Sequence, residues 1–185
     1  MTALLIALAV TGATVAVLNL LLTVGVIRRL RQHTEQLAGL PAMGAPTDIM
    51  IAAGEQADQF AAATTDGEPV SRDLLSGQTL VGVLSPDCGA CKEQLPEFIS
   101  RAAAFPGGRG QVLAVLAGER EQVQPYRERL EPVARVVIEP ATGGPISTAL
   151  RVQGFPSFAV LDSTGTVLGS GSDPHELPVM APATA

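Results

Sequence analysis

The chain has 185 residues, enough for about one domain with appendages, and carries 12 Lys+Arg against 18 Asp+Glu, a formal net charge of -6. That acidic balance leaves no clustered basic face for nucleic acid, so a nucleic-acid partner is excluded. Aromatic residues make up 3% of the chain with no Trp, which also argues against a stacking platform for bases or sugars.

Residues 2–27, "TALLIALAVTGATVAVLNLLLTVGVI", contain no charged side chain. About 20 helical residues span the hydrocarbon of a bilayer, so residues 1–30 are expected to form an N-terminal transmembrane helix set in lipid. A cleaved signal peptide would need a basic start, a shorter apolar core and a small-x-small cleavage site. Here only Met1 and Thr2 stand before the run, and Arg28, Arg29 and Arg31 follow it. No cysteine lies near its end, which rules out a lipid anchor there. Taken alone, those arginines favour keeping the following segment in the cytoplasm. Residues 31–53 are expected to be a juxtamembrane linker, broken by Pro41 and Pro46, with His33 a solvated stalk residue.

From residue 54 to 177 strand and helix signals alternate, the signature of an α/β domain whose helices pack on a sheet. "QFAAA" predicts an edge strand, and "TTDGEPV" a turn on Asp66 and Gly67 leading to a short helix over 71–75. "TLVGVL", residues 79–84, is a continuous apolar run expected of a strand buried on both faces. A helix should start near Cys88, reach about Phe105 and close on "PGGRG", which lacks the order of a nucleotide fingerprint. A second buried strand over 111–118 leads into a charged surface helix over 119–130, interrupted at Pro125. A third strand is expected over 133–140, a helical turn or two over 146–150, a fourth strand over 157–162, and a hairpin turn with its return strand over 163–171. "SDPHEL" predicts a short final helix capped by Ser172 or Asp173, with His175 as a packing residue. Residues 178–185 look like a disordered tail.

The only two cysteines, Cys88 and Cys91, lie in "SPDCGACKEQLP". A structural disulfide gains with the length of the loop it closes, and this loop is too short to gain much. A structural zinc site takes four ligands, yet the chain adds only His33 and His175, neither at ligand spacing, so no metal is expected. Chance spacing of two buried cysteines stays open. The context, a buried strand and a short loop before Cys88 at the first turn of a helix, favours redox chemistry. Free N–H groups and the helix dipole stabilise a thiolate at that position, which makes Cys88 the nucleophile. Cys91, one turn on, is placed to resolve the mixed disulfide. Asp87 opposes the thiolate and Lys92 offsets it, while Gly89 and Ala90 tune the balance of thiolate and disulfide. The chemistry requires no cofactor.

A strand, a CxxC at a helix start and a later "GFPSF" strand entry resemble the thioredoxin fold, a central mixed sheet flanked by helices. Pro96 falls where a helix-kinking proline is common in that family. The resemblance of "VQGFPSFAVLDSTG" implies that Pro156 is a cis proline facing the disulfide and that Phe155 offers backbone groups to a client peptide; an ordinary strand-start proline is the alternative. The region from 54 to 177, with the anchor and its basic flank, is similar to the membrane-anchored TlpA group. It resembles above all the MauD type that assists methylamine dehydrogenase maturation. Three positions depart from these patterns: Asp87 replaces the Trp common before the motif, Gly82 aligns with the buried acid of thioredoxins, and Gln94, beside Glu93, aligns with the TlpA glutamate.

The resemblance implies a thiol-disulfide oxidoreductase acting on the thiols and disulfides of exported proteins, with an integral-membrane redox partner of the MauE kind. It also implies a catalytic domain outside the cytoplasm, where disulfides form; long domains can translocate regardless of flanking charge. One alternative is a peroxiredoxin-like antioxidant enzyme, for which Ser85 meets the expected pattern and Val81 does not. The other is a redox-inert tethered module that binds or chaperones through the same surface.

Overall fold

The computed structural model describes residues 49–178. The expected membrane helix, most of the linker and nearly all of the tail lie outside the described residues. Among the described residues no helix is long and apolar enough to cross a membrane.

Five strands form the main sheet: β3 (Thr79–Leu84), β4 (Val112–Ala117), β5 (Arg135–Glu139), β6 (Ser157–Leu161) and β7 (Val167–Gly171), in the order β5-β4-β3-β6-β7. β3, β4 and β5 run parallel, whereas β6 and β7 are antiparallel to their neighbours. Every residue of β3, β4 and β6 is buried, which is why their sequences are continuous apolar runs rather than alternating ones. β1 (Ala61–Ala63) pairs only with β2 (Pro69–Ser71), as a separate hairpin across the expected turn. The second strand of that hairpin was not expected. The helix anticipated over 71–75 is a single 3-10 turn, Arg72–Leu74.

Between the parallel strands run α1 (Gly89–Ala103) and α2 (Arg120–Leu130), and α3 (Pro145–Ala149) precedes β6. α1 and α2 cover one face of the sheet. There Leu95 and Phe98 of α1 and Val123, Tyr126 and Leu130 of α2 pack with Leu80, Leu84 and Phe158 of the sheet. The opposite face carries α3 and a second core of Val81, Val83, Leu113, Val115, Ile146, Leu150 and Phe60. Met50 and Ile51 belong to this second core, so the packed region includes residues ahead of the expected boundary at 54. The same segment lies along the outer side of β7, with the Gly54 N–H donating to Val167 O and the Val167 N–H donating to Glu55 O, both at 2.8 Å.

The expected interruption at Pro125 is not observed, since α2 is continuous through it. Proline removes one N–H donor, and the carbonyl it would have met belongs to Glu121, on the exposed side of the helix where solvent can reach it. The buried stripe and a reciprocal cap between Glu119 and Gln122 hold the helix together.

A buried carboxylate escaped the sequence reading altogether. Glu139, at the end of β5, is 2% exposed, and it accepts the Ile146 N–H at 2.7 Å, the Ser147 N–H at 3.0 Å and the Ser147 hydroxyl at 2.5 Å. It caps α3 from a neighbouring strand. Because Glu139→Gln turns one of the two accepting oxygens into a donor facing a backbone N–H, it should lower the unfolding free energy by about 2 kcal/mol, read from urea denaturation.

Candidate redox site

The main sheet delivers the cysteines to one end of the molecule. β3 ends at Leu84, Ser85 and Pro86 turn the chain, and Cys88 becomes the N-cap of α1, with its own N–H donating to Ser85 O at 3.2 Å. Its extended backbone (φ -91°, ψ 115°) points the sulfur back over the helix end, where it accepts the Cys91 N–H at 3.0 Å. A sulfur in this cap position does the work that Ser, Thr or Asp usually does. No acidic residue lies in the first turn of α1, but Asp87, the residue before the cap, stands exposed beside it.

The two cysteines differ sharply in surroundings. Both are free thiols; Cys88 is half-buried and Cys91 is fully buried among Leu84, Leu95 and Val123 of the first core. Burial pushes the Cys91 thiol up to about 12, with further upward pushes from its hydrogen bond and charge interaction with Cys88. Cys91 therefore stays protonated at neutral pH. Iodoacetamide at pH 7–8 should alkylate Cys88 of the reduced protein and reach Cys91 only after unfolding, as peptide mass mapping would show. The ordinary thiol value is ~8.5; since the folded value is raised, the stability contributed by protonated Cys91 is complete below that pH and is lost as pH climbs towards 12. The reduced protein should lose melting temperature steadily over this window, a loss smaller in the Cys91→Ser variant.

Phe155 completes the site from far along the chain. Cys88 Sγ–H donates to the Phe155 carbonyl at 3.4 Å across a sequence separation of 67 residues. The Phe155–Pro156 peptide is cis. Pro156 is buried directly before β6, and the Ser157 hydroxyl donates to Gly154 O at 2.7 Å across the turn. The remaining predicted positions, Asp87, Gly89, Ala90 and Lys92, are all exposed around Cys88. Neither Asp87 nor Lys92 makes an ion pair among the described residues.

Beneath the cysteines the site is apolar. A Cβ built on Gly82 would lie 2.6 Å from the Phe98 ring, and Phe98 stacks on Phe158 with centroids 5.4 Å apart. The space a buried acid would use is thus filled by an aromatic pair. Glu93 is exposed and Gln94 partly buried. His175 lies at the C-terminal 3-10 turn, capped by Asp173 and with Nε2 3.5 Å from Glu97 Oε1 of α1. One residue of this neighbourhood, Tyr126, was missed; its apolar spacing with Val123 and Leu130, three and four positions apart on a helix, was the available signal.

This fold and this pair of cysteines define the thioredoxin-like class of proteins. The chain belongs to the AhpC/TSA family, whose model matches residues 53–169. Its fold is similar to the thioredoxin domain of a thiol-disulfide oxidoreductase from Bacteroides vulgatus, at TM-score 0.56 and 18% identity over 68% of this chain and 92% of that one. It is also similar to a thiol:disulfide interchange protein from a Bacteroides species (TM-score 0.52, 20% identity, 66% and 84% covered). A third similar structure is a thio-disulfide isomerase from Thermus thermophilus (TM-score 0.52, 20% identity, 66% and 87% covered). No curated protein matches the sequence significantly.

Proposed function

We propose that this chain is a thiol-disulfide oxidoreductase that uses Cys88-Gly89-Ala90-Cys91 on protein clients. The observation that carries the reading is the asymmetry of the pair: a half-buried sulfur at a helix start holding a backbone N–H, and behind it a buried, protonated thiol. Cys88 attacks the client disulfide and releases one client thiolate, leaving a mixed disulfide. Cys91 then attacks Cys88 Sγ, the second client sulfur leaves, and the chain is oxidised while the client gains two electrons. Run backwards, the same steps oxidise a client dithiol. Phe155, whose carbonyl lies beside the sulfur, offers backbone pairing to the client segment, and Pro156 shapes the groove.

The apolar run over 2–27 and the resemblance to the TlpA and MauD type support a membrane-anchored protein with its catalytic domain outside the cytoplasm. In that setting the clients are exported proteins, a maturing dehydrogenase among them, and a MauE-like membrane protein exchanges electrons with the Cys88–Cys91 pair. A second reading, attack of Cys88 on a peroxide, is favoured by Ser85; Val81 counts against it. Insulin reduction by the full chain in detergent, compared with Cys88→Ser, tests the first reading. Equal rates in the two proteins would overturn it, and hydrogen peroxide consumption without insulin reduction would replace it with the second.

A further inference from the structure

Tyr126 is the one tyrosine of the chain, and its hydroxyl is buried with no hydrogen-bond partner among the described residues. A buried polar group left unpaired opposes folding and calls for an explanation. Its position supplies one. Tyr126 belongs to the same packed cluster as Cys91, with Cys88 lying against that cluster. Gly118 lies between the helix of Tyr126 and the loop that bears Cys88: a Cβ there would lie 3.2 Å from Val123, one turn before Tyr126, and 3.3 Å from Pro86 in that loop. Phe98, of the same cluster, fills the space beside Gly82.

We infer that Tyr126 is a further residue of the exchange reaction, its phenol O–H donating a hydrogen bond to the Cys91 sulfur while that sulfur carries the charge it needs for attack. The inference rests on the thiol-disulfide reading above. Burial pushes the phenol up, charge on Cys91 and then on Cys88 pushes it further, and Arg129 on the same helix acts the other way. The phenol is thus a hydrogen-bond donor across the working pH range and never the proton acceptor. In the resolving step Cys91 loses its proton, its sulfur bonds to Cys88 Sγ, and the bond from Cys88 to the client breaks. The leaving client thiolate takes up one proton, so protons and electrons balance with Tyr126 unchanged. The phenol lowers the cost of charging a thiol that burial otherwise keeps neutral.

Tyr126→Phe removes only the hydroxyl. If the hydroxyl were mere packing, the variant would be as stable as wild type or more so, with unchanged kinetics. The inference expects resolution of the mixed disulfide to slow about tenfold in the full chain, the effect of losing one charge-assisted hydrogen bond, with formation of the mixed disulfide unaltered. A second measurement needs no substitution. With Tyr 1 and Trp 0 in the sequence, all tyrosine emission comes from Tyr126, and it should differ between the dithiol and disulfide forms. An unchanged resolution rate in Tyr126→Phe, or identical emission in the two redox forms, would overturn the inference while leaving an active wild type and its function intact. A wild type that exchanges no disulfides would remove both together.

Discussion

Cys88→Ser should lower insulin reduction to background, a loss of at least about 1000-fold, because a hydroxyl at neutral pH is almost wholly protonated and is a far weaker nucleophile than a thiolate. The local geometry should survive the change, since serine is itself a good N-cap and its oxygen can accept the Cys91 N–H as the sulfur does. The loss would then report chemistry and not unfolding, which a circular dichroism melt would verify. Cys91→Ser should act differently. Cys88 still attacks, but the buried serine cannot resolve the adduct, so a mixed disulfide between Cys88 and insulin should accumulate on a non-reducing gel. Should Cys91→Ser turn over as fast as wild type, with no adduct, Cys91 has no part in the reaction.

The second large effect falls on stability, at Gly82. This glycine pairs with Ala114 on one side and Phe158 on the other in the middle of the sheet. The Phe98 ring sits 2.6 Å from where its Cβ would be, well inside contact distance, and cores close-packed at this density yield little. Gly82→Val should therefore destabilise by about 3 kcal/mol, at the upper end for overpacking. Gly82→Ala combined with Phe98→Leu should recover part of the loss of either change alone, because the smaller ring-free side chain vacates the contact. Urea unfolding of the four proteins measures this coupling; strictly additive losses would show that the Phe98 contact is not the cause.

Much of the chain was legible before folding was considered. The buried strands announced themselves as apolar runs because a sheet covered on both faces leaves no polar side to alternate with, as in 79–84 and 112–117. The placing of the cysteine pair was legible for a related reason: a CxxC straight after such a strand falls at the start of the helix that follows. What misled was local. Pro125 looked like a break, but a proline on the exposed side of a helix with a buried Val123, Tyr126 and Leu130 stripe costs one hydrogen bond, whose carbonyl solvent can reach. The β1–β2 hairpin was half read, since Pro69 and Ser71 carry weak strand propensity and take their conformation from their partner.

The remaining features depend on how separate elements pack against one another. Sequence alone determined the central strands and the helix bearing the cysteines. Only the tertiary structure decided that the Phe155 carbonyl meets Cys88 Sγ, that Phe98 occupies the space beside Gly82, that Glu139 caps a helix from a neighbouring strand, and that Tyr126 lies in the cysteine cluster. Periodicity and capping act over a few residues, so local pattern records them. Three of these contacts join elements through the packing of the sheet, and the fourth, Glu139 to Ile146, spans seven residues but depends on how the loop after β5 folds back, so local pattern does not say which partner will arrive.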